Sequence, residues 1–163
     1  MNILTPKLNA SDVAEAKSNN FPAKALVPAG EYELAIPANA APRVTTSDKG
    51  TKTLSVMLVH TGENARTAPA IYQTFNTSPV GQKQFTQFLL ALGLSDEDVL
   101  EAAWGTEGDV QTDSRGKEFE AGIIAVRGDV LNLAGRSISA YVTIEDGKNG
   151  YADRNKVSRF IVK

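Results

Sequence analysis

Ala70-Ile-Tyr-Gln-Thr-Phe-Asn76, followed by Phe85-Thr-Gln-Phe-Leu-Leu-Ala-Leu-Gly93, holds the change of period on which the fold turns. The first segment, with Ile71, Tyr72 and Phe75, predicts a strand bounded by polar residues. In the second, Phe85, Phe88, Leu89 and Leu92 stand at i, i+3, i+4 and i+7, one face of an amphipathic helix. Gly81 precedes that helix, and Gly93 is placed just past its C-terminus. A strand therefore gives way to a helix near the middle of the chain.

Working outward, Glu31–Ile36 alternates with Tyr32, Leu34 and Ile36 on one face, which predicts a half-buried strand. Pro37 and Pro42 make its far end an edge or a bulge. Leu54–His60 is apolar on both faces over part of its length and is expected to be central. Thr45–Thr51 reads as the turn cluster between these two. Beyond the helix, Ser95 would cap a second helix with Asp96, Glu97 and Asp98 in its first turn, and Val99, Leu100 and Trp104 facing inward. Gly105–Glu120 reads as a loop or a peripheral hairpin, and Ala121–Leu133 as either strand or helix. Ile138, Ala140, Val142 and Ile144 alternate as a fourth strand, and Asn155–Val162 reads as the last. Three strands, a helical stretch and two strands is the element order of the OB-fold, a five-stranded Greek-key barrel whose helix plugs one end. The expected domain spans residues 26–163, with an acidic insertion at about 105–130. Residues 1–25 read as an arm, with a short helix from Ser11 to Lys17.

The chain has 163 residues, enough for one domain with a core of its own. It has no cysteine, which excludes disulfide scaffolds, thiol nucleophiles and zinc fingers. No apolar run approaches the roughly 20 residues that span a bilayer, so no membrane association is expected. The opening MNILTPKLNASD lacks the charged start and apolar stretch of a secretory signal. The net charge of −2 conceals a segregation: residues 94–130 carry ten acids against three Lys and Arg, and the rest of the chain is net positive. Overall charge therefore does not decide whether a polyanion binds; placement on the folded surface does.

Catalytic chemistry leaves little trace. His60 is the one histidine, at the end of an apolar strand, where it reads as a surface or packed residue. Asp96-Glu-Asp98 reads as a helix-dipole partner, and Asp146–Asp153 as a hairpin turn lacking the spacing of a calcium loop. No metal, cofactor or enzymatic activity is expected.

Cations and aromatics do coincide. Lys148, Tyr151, Arg154, Lys156, Arg159 and Phe160 interleave near the C-terminus, and Arg43, Lys49 and Lys52 fall between the first two strands. Arg66 sits in the next loop, and Tyr72 and Phe75 lie on strand three. Cations neutralise phosphates and ring faces stack unpaired bases, the combination suited to a single strand. The loops joining strands one to two and four to five are also those that flank an OB-fold ligand. Alternation sets Lys156, Ser158 and Phe160 against Val157, Arg159 and Ile161, so either Phe160 packs inward or a bulge intervenes.

Val27-Pro-Ala-Gly-Glu-Tyr-Glu-Leu34, Ile71–Asn76, Phe88-Leu-Leu-Ala-Leu-Gly-Leu94, Leu133-Ala-Gly-Arg136 and Gly147-Lys-Asn-Gly-Tyr-Ala-Asp-Arg-Asn-Lys-Val157 follow one another in an order that resembles a family of bacteriophage OB-fold single-stranded DNA-binding proteins. The resemblance covers about residues 26–163. It implies sequence-tolerant binding of single strands in phage replication, recombination or repair, in the cytoplasm of the infected bacterium. It favours Tyr72, Phe75, Lys148, Tyr151, Arg154 and Lys156 as contacts, and phage or host replication and recombination proteins as partners. Residues 105–130 are longer and more acidic than the family core requires, and the chain ends in Phe160-Ile-Val-Lys163 where many single-strand binders carry an acidic tail. The alternative is therefore an OB-fold interaction module that recruits such proteins through its acidic segment. An unpaired strand edge would also allow a homodimer.

Overall fold

The computed structural model describes residues 9–10 and 24–163; the helix expected from Ser11 to Lys17 lies outside them. Strand accounts for 44% of residues and helix for 15%, so the chain is mostly β, with a strongly curled, open antiparallel sheet. The expected strands appear as β1 (Gly30–Ala35), β3 (Lys52–His60), β4 (Ile71–Asn76), β8 (Ser137–Glu145) and β9 (Arg154–Phe160). Helix α1 (Pro79–Ala91) lies between β4 and β8 in the chain. It starts two residues before Gly81: Ser78 is its cap and accepts from the Gly81 amide, with Pro79 in the first turn.

Among the described residues the sheet holds nine strands where five were expected. Residues 43–46, read as loop and turn, form β2 (Arg43–Thr46), which pairs with the first half of β3, while β1 pairs with its last two residues. The prolines at 37 and 42 remove two amide donors and break what would be one curved strand in two. Residues 102–112 and 118–126 form a long hairpin, β5 (Ala102–Thr112) and β6 (Glu118–Val126), and β7 (Asp129–Val130) pairs with the end of β6. Ala121–Leu133 is thus strand and turn. The hairpin joins the sheet because β6 pairs Ala121 with Arg43 and Glu120 with Val44. Gly122 permits the approach: a Cβ there would stand 2.7 Å from Leu54 Cδ1.

The core lies inside the curl. Leu34, Val44, Leu54, Val56, Leu58, Phe75, Ile138, Ala140 and Val142 point into it from the strands, and α1 adds Phe85, Phe88 and Leu89. β4 and β9 share no ladder; α1 spans the seam between them. The Phe88 ring packs 5.2 Å from Phe75 on β4 and 5.2 Å from Phe160 on β9, and Gln87 Oε1 accepts from the Phe160 amide at 2.7 Å. Phe160 reaches the core through a bulge. Tyr141 pairs with Arg159 but Val142 pairs with Val157, so Ser158 is the extra residue and the alternation resets. Both readings of Phe160 are therefore met together. Asn155 is buried on β9 and bonds both the N–H and the C=O of Val27, each at 2.9 Å, which fixes the segment entering β1.

One position, Leu100, differs from expectation, and His60 takes the packed alternative. Leu100, at the end of helix α2 (Asp96–Leu100), is 84% exposed, because this five-residue helix turns only Val99 toward the core. His60 is buried, edge-on to Tyr32 at 5.1 Å, with no partner for Nε2 among the described residues. Desolvation holds its pKa below the ordinary value of 6.5. The unfolded chain then binds a proton near pH 6.5 that the folded chain refuses, so this part of the stability is present above pH 6.5 and is lost as pH falls. Denaturant midpoints should drop from pH 7.5 to 5.5 in the wild type and drop less in His60→Leu.

Candidate nucleic-acid interface

The alternation that buries Val44, Leu54, Val56, Ile71 and Phe75 turns Arg43, Ser55, Met57, Tyr72 and Thr74 outward. Register sets them in rows: Ser55 lies opposite Arg43 on one side and Thr74 on the other, and Met57 lies opposite Tyr72. The hairpin adds Phe119, whose ring carries the Arg43 guanidinium 4.1 Å from its centroid. Arg43, Met57, Tyr72, Gln111 and Phe119 line one cleft of about 550 Å³.

Tyr72, 66% exposed, also lines a second cleft of about 570 Å³ that follows the β4–β9 seam. Thr74 and Gln84 stand on one wall of it and Arg154 and Lys156 on the other, with Lys24 at its margin. Glu145 sits between the two cations, 3.4 Å from Arg154 and 3.6 Å from Lys156. These pairs are exposed, so they hold the cations in place without tying them down strongly. A third cleft, of about 410 Å³, shares Arg154 and Glu145 with the second and adds Lys148 and Tyr151. It is built by the turn after β8, where Asp153 Oδ1 accepts from the Gly147 amide at 2.8 Å and the Tyr151 amide donates to the Lys148 carbonyl at 3.1 Å. A side chain at 147 would strike the Tyr151 carbonyl, so this turn requires glycine. Tyr151 projects with 81% of its surface exposed.

Arg43, Tyr72, Lys148, Tyr151, Arg154 and Lys156 therefore lie along three adjoining clefts. The other expected residues do not. Phe75 is wholly buried against Phe85 and Phe88, because alternation on β4 puts it on the face opposite Tyr72. Lys52 lies 3.5 Å from Glu120 and lines a different cleft. Lys49 is exposed in the turn after β2, and Arg66 is exposed in the loop before β4; neither lines these clefts. Arg159 lies 5.6 Å over the Tyr141 ring, on a stretch where Glu31 stands opposite Tyr141 and Glu33 opposite Ser139. Phe119 and Met57 were missed. The signal for Phe119 was the alternation Phe119, Ala121, Ile123, which starts inside the acidic stretch read as loop.

The acidic residues have structural duties too. Ser95 caps α2 by accepting from the Asp98 amide, and Asp98 pairs with Arg127, whose pKa is raised by that hydrogen bond. Asp113 closes the β5–β6 turn by accepting from the amides of Lys117 and Arg115, the first of which does most to lower its pKa. Neither a family model nor a curated protein matches the chain.

Proposed function

We propose that this chain is a sequence-tolerant single-stranded DNA-binding protein, acting without chemistry in bacteriophage replication, recombination or repair, and that its curled sheet is an OB-type barrel open at one seam. The observation that carries the reading is Tyr72, an exposed ring at the junction of two clefts, with Arg43 over Phe119 on one side and Arg154 and Lys156 on the other. An unpaired strand laid along this path meets ring faces for its bases and guanidinium and ammonium groups for its phosphates. A duplex offers no free base faces to such rings. The barrel assignment draws on element order, on α1 packing against both β4 and β9, and on those two strands lining a common cleft where a closed barrel would have a ladder.

The test is a fluorescence-anisotropy titration of labelled oligo-dT and of a duplex at two salt concentrations. Four cations on the path (Arg43, Lys148, Arg154 and Lys156) predict a slope of log K against log salt of about −3, and so a loss of roughly 50-fold between 50 and 200 mM salt. Oligo-dT should bind well ahead of duplex. Equal binding of the two, or no binding at low salt, defeats the proposal.

A further inference from the structure

β5 is one border of the sheet. It is bonded to β6 on one side, and among the described residues no backbone group of Ala102–Thr106 has a partner on the other. Exposed edges invite another strand, and sheets ordinarily guard them with charge or bulges. The second half of β5 is guarded in this way, by a bulge between Glu107 and Gln111 and by exposed Glu107 and Asp109. The first half, Ala102-Ala-Trp-Gly-Thr106, carries no charge. It opens on a cleft of about 590 Å³ whose opposite wall is Phe85, Thr86 and Leu89 of α1. Five consecutive residues of β5 line this cleft, so the strand borders it by its edge and not by one face alone. Trp104 forms part of the lining and packs against the core.

We infer that this edge accepts an extended, lysine- or arginine-bearing segment of a partner protein as an added strand, its alternate apolar side chains entering the cleft beside Trp104, Phe85 and Leu89. Backbone hydrogen bonds along the edge would supply affinity, and the cleft would supply selectivity. Charge selects the partner. Glu101 immediately precedes β5 and Glu107 and Asp109 lie on it, while the nearby cations Lys52 and Arg127 are already paired with Glu120 and Asp98. A second copy of the chain would bring two such acidic sets together across a two-fold axis, so self-pairing is disfavoured. The inference is independent of strand binding, which uses the outward face of β2, β3 and β4 and the β4–β9 seam.

The experiment titrates the full chain into a fluorescein-labelled heptapeptide of alternating lysine and valine, followed by anisotropy and by amide hydrogen exchange. Saturable binding with slowed exchange at residues 102–106 is expected. Methylating alternate peptide amides, or replacing each lysine by glutamate, should weaken it at least about tenfold. Ala103→Lys, at an exposed position, should weaken peptide binding to a similar degree while leaving oligo-dT affinity unchanged. Four outcomes would overturn the inference: no binding, an N-methylated peptide that binds as tightly as its parent, protection that falls elsewhere, or a sedimenting dimer whose 102–106 amides are protected without peptide. A chain that fails to bind oligo-dT but passes these tests would lose the proposed function and keep this site.

Discussion

Phe88→Ala is expected to cost about 3–5 kcal/mol of stability, the range for truncating a buried aromatic. The ring is wholly buried and, among the described residues, is the one core side chain in ring contact with both strands that border the seam, Phe75 on β4 and Phe160 on β9. No hydrogen-bonded ladder joins those strands, so the helix holds the curl shut through packing and the Gln87 bond to the Phe160 amide. Removing the ring leaves a cavity at the place where the sheet is least able to collapse around it. Urea unfolding should show a lower midpoint, and hydrogen exchange should speed up first in β9. Leu100→Ala, equally apolar but exposed, should change stability by less than about 0.5 kcal/mol. Similar losses for the two would mean that the seam is not closed by α1.

Tyr72→Ala is expected to weaken oligo-dT binding by about 1–3 kcal/mol, the measured span for losing one stacked base, with little change in stability. Tyr72→Phe should bind nearly as well, because stacking needs the ring and not the hydroxyl. Phe75→Ala should do the reverse and lose stability first, since its ring is in the core. The electrostatic side of the same site has its own sign. Glu145 holds Arg154 and Lys156 at 3.4 and 3.6 Å and competes with any phosphate for them. Glu145→Gln should therefore raise affinity by about two- to fivefold at low salt, and the gain should shrink as salt rises. A Tyr72→Ala variant that binds as tightly as wild type would remove the central element of the proposed interface.

Much of the scaffold was legible because its signals are local. The i, i+3, i+4, i+7 spacing of Phe85, Phe88, Leu89 and Leu92 identified α1, and the Ser95 cap identified α2. Alternation placed β1 and β8, and a run apolar on both faces placed β3, to within a residue or two. Arg43, Tyr72 and Arg154, which line the clefts, were legible by type as candidate site residues. The β5–β6 hairpin was not: its glycines and acids dilute the alternation, and β6 is held in the sheet by pairing with Arg43 and Val44, far away in the chain. Phe119 was hidden with it.

The sequence by itself determined the order of β1, β3, β4, α1, β8 and β9, the C-terminal end of α1, the cap of α2 and which residue types were available for a polyanion, because period and capping act over a few neighbouring residues. Only the tertiary structure decided that Phe75 faces the core while Tyr72 faces out, that one extra residue at Ser158 turns Phe160 inward, and that Arg154 and Lys156 share Glu145. Those outcomes depend on register between distant strands. A shift of one residue exchanges the two faces of a strand, and only the partner strand and the core behind it set that register.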